Sequence, residues 1–160
     1  MKTIEHPQLG TISDQDSDMN EWVTKRLKIG AFGYETTIHA FTERRPPSDA
    51  QLAAMVRIFH ASPEFRAIVE RYMHDAYRSD IRPTYAKEIG DTGFWKVLTE
   101  ADLPEINTPP AIWNVVTGMG PAFIDEECDL SLSFTTTFDA NHEFTVRFKG
   151  GKLYECMMDG

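Results

Sequence analysis

Residues 130–138, LSLSFTTTF, and 144–153, FTVRFKGGKL, decide the fold class of this chain. Leu130, Leu132, Phe134 and Phe138 share one parity, and Ser131, Ser133, Thr135 and Thr137 share the other. Phe144, Val146 and Phe148 alternate in the same way with Thr145, Arg147 and Lys149. A period of two with one apolar and one polar parity belongs to a strand with one wet face. Gly150-Gly151 supplies the two positive-φ positions of a tight hairpin, so a third strand follows over Lys152–Met158. The C-terminal fifty residues therefore predict a three-strand antiparallel meander.

Working outward, Ala111–Thr117 is apolar on both parities and predicts a strand covered on both sides. Gly118-Met-Gly120-Pro121 predicts a turn after it. The N-terminal region also reads as β: a short apolar segment at Gln8–Ile12, then a polar loop over Ser13–Asp18. A strand is expected over Trp22–Ile29, with Lys25 as its flaw, followed by a Gly30–Gly33 turn and a partner strand over Tyr34–Phe41.

Between these regions the pattern changes to helical. Ser48-Asp-Ala-Gln51 has capping-box spacing, and Leu52, Met55, Val56 and Phe59 follow as one apolar stripe. Ser62-Pro63-Glu64 starts a second helix with a capping hydroxyl, a proline where no N–H is needed, and an acid at the positive end. Phe65, Ile68, Val69, Tyr72, Met73 and Ala76 form its expected inner face, and Arg66/Glu70 and Arg71/Asp75 its outer i,i+4 pairs. Four prolines punctuate residues 80–110, where Asp91–Thr99, with Phe94 and Trp95, reads as a short helix or an apolar loop. The whole predicts an α+β fold, one domain over residues 1–160. Its antiparallel β-sheet is built from N- and C-terminal strands, with two central helices packed on one face.

Composition narrows the function. The net charge is −9, and no Lys or Arg occurs between Val97 and Val146, where nine carboxylates do. Phosphate-backbone binding needs clustered positive charge, so no nucleic-acid partner is expected and a basic protein is. No apolar run reaches membrane-spanning length and no leader precedes the first strand, so the expectation is a soluble cytoplasmic protein. Cys128 and Cys156 fit a reducing compartment as two packed thiols. No zinc or calcium spacing occurs among the five histidines and the acids, so no metal or cofactor is expected. Gly150-Gly151-Lys152 lacks the upstream glycine and following helix of a phosphate loop. Cys128 stands among Asp125, Glu126, Glu127 and Asp129, whose charge disfavours a nucleophilic thiolate.

Two candidate sites follow. Glu100, Asp125, Glu126, Glu127 and Asp129 are the candidate binding residues for a basic partner. Asp139 and His142 are the candidate catalytic pair, an acid orienting a general base, against a plain reading as a turn held by its own side chains.

The Phe138-Asp-Ala-Asn-His142-Glu143 corner also carries a resemblance. With Leu9-Gly-Thr-Ile12, Trp22, the helical pair and the Gly151-Lys152 hairpin, it resembles an uncharacterised bacterial family of small domains of unknown function. Members of that family close with a Trp-Asp-x-Glu-His-Gly corner. Here Phe138 stands for the tryptophan, Asn141 for the glutamate and Glu143 for the glycine. Small acidic domains of this kind are similar to immunity proteins of bacterial toxin systems, which implies a non-catalytic protein that masks a basic partner. The alternatives are a small hydrolase using His142 and Asp139, and a structural subunit that oligomerises through residues 111–117.

Overall fold

The hydrophobic alternation of the two chain ends meets in one sheet. A computed structural model describes residues 1–15, 20–93 and 96–159, with mixed α and β structure throughout. The N-terminal strands are β1 (Thr3–His6), β2 (Gly10–Asp14), β3 (Glu21–Thr24), β4 (Leu27–Ile29), β5 (Tyr34–Thr36) and β6 (Ile38–Phe41). The C-terminal strands are β7 (Val116–Met119), β8 (Ala122–Ile124), β9 (Leu130–Thr136), β10 (Glu143–Lys149) and β11 (Lys152–Asp159). The large sheet runs β1-β2-β3-β6-β8-β9-β10-β11, with β7 also on β9, while β4 and β5 form a separate hairpin. Every pairing between these strands is antiparallel except β6 with β8, where Ile38, His39 and Ala40 face Ala122, Phe123 and Ile124 in parallel.

The β9-β10-β11 meander has the predicted order and apolar face, with Phe144 opposite Phe134 and Val146 opposite Leu132, while Ser133 and Thr145 of the face expected to be wet are buried. Phe134, Phe138, Phe144, Leu132 and Val146 are fully enclosed. Burying each such side chain contributes about 1.5–3 kcal/mol, so this inner face anchors the domain.

Several expectations are corrected. Trp22–Ile29 is not one strand: the chain breaks at Lys25-Arg26, sending β3 into the large sheet and β4 into the hairpin. Tyr34–Phe41 divides likewise into β5 and β6. Lys25 marks the first break because a lysine on the apolar parity cannot be buried there. Ala111–Thr117 is a strand only at its end, since Pro109–Val115 forms a 3₁₀ helix. Pro109 and Pro110 fit its first turn, where no N–H is required. Its Ile112 and Val115, with Val116 after it, lie in the core, so this segment offers no bare apolar strip for oligomerisation. Gly118–Pro121 is not a reversal: β7 and β8 both run antiparallel to β9 along its length. A Cβ at Gly120 would stand 2.5 Å from both Glu143 Oε1 and Ser133 Oγ, so a larger residue there would have to displace them. Ser13 and Asp14 of the expected loop belong to β2, while Asp16–Asp18 lie outside the described residues, as do Phe94 and Trp95.

The helices start where predicted. In α1 (Asp49–Phe59) Ser48 Oγ accepts from Gln51 N at 3.1 Å and Gln51 Oε1 accepts from Ser48 N at 3.0 Å. In α2 (Pro63–Ala76) Ser62 Oγ accepts from Phe65 N at 3.1 Å. The buried face of α2 is turned from the predicted one: Ile68 is exposed, and Glu70 and His74 are buried beside Val69 and Met73. Glu70 is tolerated because Trp113 Nε1 donates to it at 2.6 Å and Arg66 Nε at 2.8 Å. No Arg71–Asp75 pair forms among the described residues; Asp75 meets His74 Nδ1 at 3.3 Å instead. A π-helical turn (Tyr77–Ile81) leads into the short α3 (Arg82–Ala86). His74, Tyr77 and Arg82 donate to the carbonyls of Ile106, Pro104 and Leu103, tying the proline-rich loop down. Among the described residues, no helix is long and apolar enough to cross a membrane.

Candidate functional site

The β9–β10 connection is built around one carboxylate. Asp139 is 4% exposed, and its Oδ1 accepts from the backbone N–H of Asn141 at 2.8 Å and of His142 at 3.1 Å. Its Oδ2 accepts from His142 Nδ1 at 2.8 Å and from the Tyr85 hydroxyl. The Asp139 N–H in turn donates to Thr136 Oγ1 at 3.3 Å. An aspartate bonding the backbone two and three residues ahead forms a tight corner without help from glycine. Burial alone would raise the Asp139 pKa. The bonds from Tyr85, Asn141 and His142 outweigh it and hold the carboxyl below its usual range.

Tyr85 reaches this corner from α3, and its ring meets Phe138 edge-on at 5.0 Å. Burial, then its bond to Asp139 and that group's charge, push its phenol above the usual tyrosine range. Sequence reading finds Asp139 and His142 because they are three residues apart. It misses Tyr85, which is 54 positions away in a stretch without clear periodicity.

The corner borders a cleft of about 660 Å³, walled by threonines 117, 135, 136 and 145 together with Glu143 and Asp159. Asp139 and His142 also line it, and no lysine or arginine does among the described residues. The His142 side chain is half exposed, and Nδ1 bonding to Asp139 leaves Nε2 without a hydrogen-bond partner among the described residues. Such an arrangement can orient a general base or present a donor and acceptor to a ligand. Among the described residues no cluster of three or more His, Cys, Asp or Glu side chains is arranged to hold a metal ion.

The acidic candidates do not gather into one patch. Asp125–Asp129 is a turn entering β9: Asp129 N donates to Asp125 Oδ1 at 2.8 Å, and Gly150 N donates to Asp129 Oδ1 at 2.8 Å. Those two carboxylates are committed to backbone. Glu126 lies 3.8 Å from Arg45, and Glu127 stands beside it in the turn. Glu100 is exposed, 3.7 Å from Arg82, in a loop whose Asp102 carbonyl accepts from Thr137 just beyond the other end of β9. The seven residues of β9 separate the two groups by roughly 20 Å. Cys128 adopts a positive φ of 64° in this turn and packs against the core; it and Cys156 are both free. Burial, with the nearby Asp75 charge, pushes the Cys156 thiol up to about 12.

Comparison with curated proteins returns no match, and neither does comparison with solved structures. Residues 8–158 nevertheless match the profile described as "Domain of unknown function (DUF6985)", and the chain belongs to that family.

Proposed function

We propose that this is a non-catalytic, cytoplasmic binding protein of the immunity-protein kind, which masks a basic protein partner at the cleft beside the Asp139 corner. One observation carries the reading: the cleft lining holds Asp139, Glu143 and Asp159 and, among the described residues, no lysine or arginine. A concave surface lined by carboxylates, one of which, Asp159, is paired with Arg147, attracts an oppositely charged partner and raises its association rate. In this reading the two helices cover one face of the sheet and the partner takes the other, where Glu143 and Thr145 lie. The scattered acids Glu100, Glu126 and Glu127 then steer the approach rather than form the contact.

The test is capture from host lysate on immobilised protein at low and then raised salt. A basic protein retained at low salt and released as salt rises supports the reading. Retention of only acidic or neutral proteins, or of none, overturns it.

A second reading is favoured by the Tyr85–Asp139–His142 chain of hydrogen bonds, which leaves His142 Nε2 without a partner among the described residues, beside the cleft. That is the geometry of an oriented general base, and its product would be a small hydrolase. A His142→Ala variant that stays folded and loses a measured hydrolytic turnover supports it. Full retention of that turnover overturns it.

A further inference from the structure

We infer that Thr37 is a site of covalent modification, a hydroxyl made nucleophilic by His39 and Glu21 that accepts an acyl group from an activated ester. The site is separate from the Asp139 corner and does not rest on the binding reading.

Three side chains form one relay on β3, β6 and the residue that precedes β6. His39 Nδ1 bonds to Glu21 Oε1 across the β3–β6 pair, and His39 Nε2 lies 2.6 Å from Thr37 Oγ1. A carboxylate can only accept, so Nδ1 carries the proton of the neutral imidazole and Nε2 presents its lone pair. The Thr37 hydroxyl is therefore the donor, and its proton points at a base. Hydroxyl, imidazole and orienting acid in this order activate nucleophiles on unrelated folds. The Asp139–His142 pair has the base and the acid but no hydroxyl at Nε2 among the described residues.

The relay is held in place. The side chains of His39 and Glu21 are only 15% and 17% exposed, so water competes little for their bond. Phe123 lies against the imidazole at a centroid distance of 5.0 Å and stacks in turn on Phe41 at 5.5 Å. Thr37 joins β5 to β6, and the backbone there is pinned twice. Its carbonyl accepts from Ala122 N at 3.0 Å, and Ile38 N donates to Thr24 Oγ1 at 3.0 Å. Thr37 itself is partly exposed, so a reagent can reach it.

The charge of the relay favours acyl over phosphoryl transfer. Its hydrogen bonds include no lysine or arginine among the described residues, so nothing in it offsets a phosphoryl group beside Glu21. An ester carbonyl arrives uncharged. In the step, the Thr37 proton passes to His39 Nε2 while an Oγ1 lone pair bonds the carbonyl carbon. The carbonyl then re-forms as the bond to the leaving group breaks, and the leaving group departs with that electron pair. His39 yields its proton to water, and Thr37 is left as an ester. Thr37 is the nucleophile, His39 the base, and Glu21 a positioning residue.

The experiment incubates the full chain with p-nitrophenyl acetate near neutral pH and locates acetylation by peptide mass spectrometry. Expected is an acetyl group on Thr37, formed about a hundredfold or more faster than on the exposed Thr3 of β1. His39→Gln should lose that advantage. Glu21→Gln, which removes the charge but keeps an acceptor for Nδ1, should slow labelling about tenfold or more. Thr37→Ser should retain the reactivity, and melting curves identify which variants are folded. Thr37 labelled no faster than Thr3, or labelling undiminished in a folded His39→Gln or Glu21→Gln variant, overturns the inference. A relay that only holds β3 to β6 would lower the melting temperature of the variants and leave Thr37 no more reactive than Thr3. Should neither variant fold, the ratio of Thr37 to Thr3 labelling in the parent still decides.

Discussion

Asp139 illustrates how much one buried carboxylate organises. It joins a β-corner to a helix and to an imidazole, so its removal strands several donors at once. Asp139→Ala should cost about 2–4 kcal/mol of unfolding free energy, read from urea denaturation near neutral pH. The pH dependence has a defined sign. Its folded-state pKa lies below the unfolded one, so its contribution is present above the unfolded value and is lost as pH falls through the folded one. The acid limb of the parent's stability profile should therefore flatten in Asp139→Ala. Tyr85 and Tyr77 act at the opposite end. Both are raised, Tyr77 to about 12, chiefly by burial. Their stabilisation is complete below the unfolded tyrosine value near 10 and declines as pH climbs towards the folded values. Tyr85→Phe should weaken that alkaline decline, which a denaturation series above pH 9 would measure. The Asp139–His142 pair was legible because a three-residue spacing is local chemistry. Tyr85, the third member, was not, since only the packing of α3 brings it there.

At the scale of elements, the parts read correctly were those whose signal is self-contained. Ser48 with Gln51, and Ser62 with Pro63, announce helix starts in four residues each. The meander announces itself by alternation and two glycines. What failed was decided by tertiary contact. Ala111–Thr117 has strand-like composition, but all except its end is wound into the 3₁₀ helix, where Trp113 reaches Glu70 and packs against both Phe32 and Phe134. The same contact explains why Glu70, predicted outside, is inside. Gln51 shows a cap exceeding its local role. It is wholly buried, and its amide donates to the carbonyls of Phe41 and Asp125 at 2.7 and 3.1 Å. Gln51→Ala should thus cost about 2–3 kcal/mol, against about 1 kcal/mol for Ser62→Ala, by thermal or urea unfolding. Equal costs would mean that Gln51 acts only as a cap. Gly120→Ala belongs with these: a Cβ there must displace Glu143 and Ser133, for a loss of about 1–3 kcal/mol.

For the whole molecule, linear charge density proved a poor guide to surface. The stretch without lysine or arginine runs from one end of β9 to the other and back, so its acids fall into separate neighbourhoods. The cleft acids were visible as residues but not as neighbours, because Asp159 meets Glu143 only through the β10–β11 register. That register is a hairpin signal, whereas the strand pair that joins the two chain halves, and its parallel direction, have no local signal in the sequence. It rests on the short parallel pairing of β6 with β8, reinforced by Thr36 Oγ1 donating to the Gly120 carbonyl at 2.7 Å across 84 positions. During synthesis, β6 is made long before its partner and must wait with an open edge while both helices and the proline-rich loop emerge. Closing so distant a pair puts refolding in the millisecond-to-second range, which stopped-flow fluorescence of the buried Trp22 would record. Until that closure the N-terminal strands offer an unpaired edge to any neighbouring chain, so the order in which the ribosome delivers β6 and β8 sets the interval in which this protein is most exposed to misassembly.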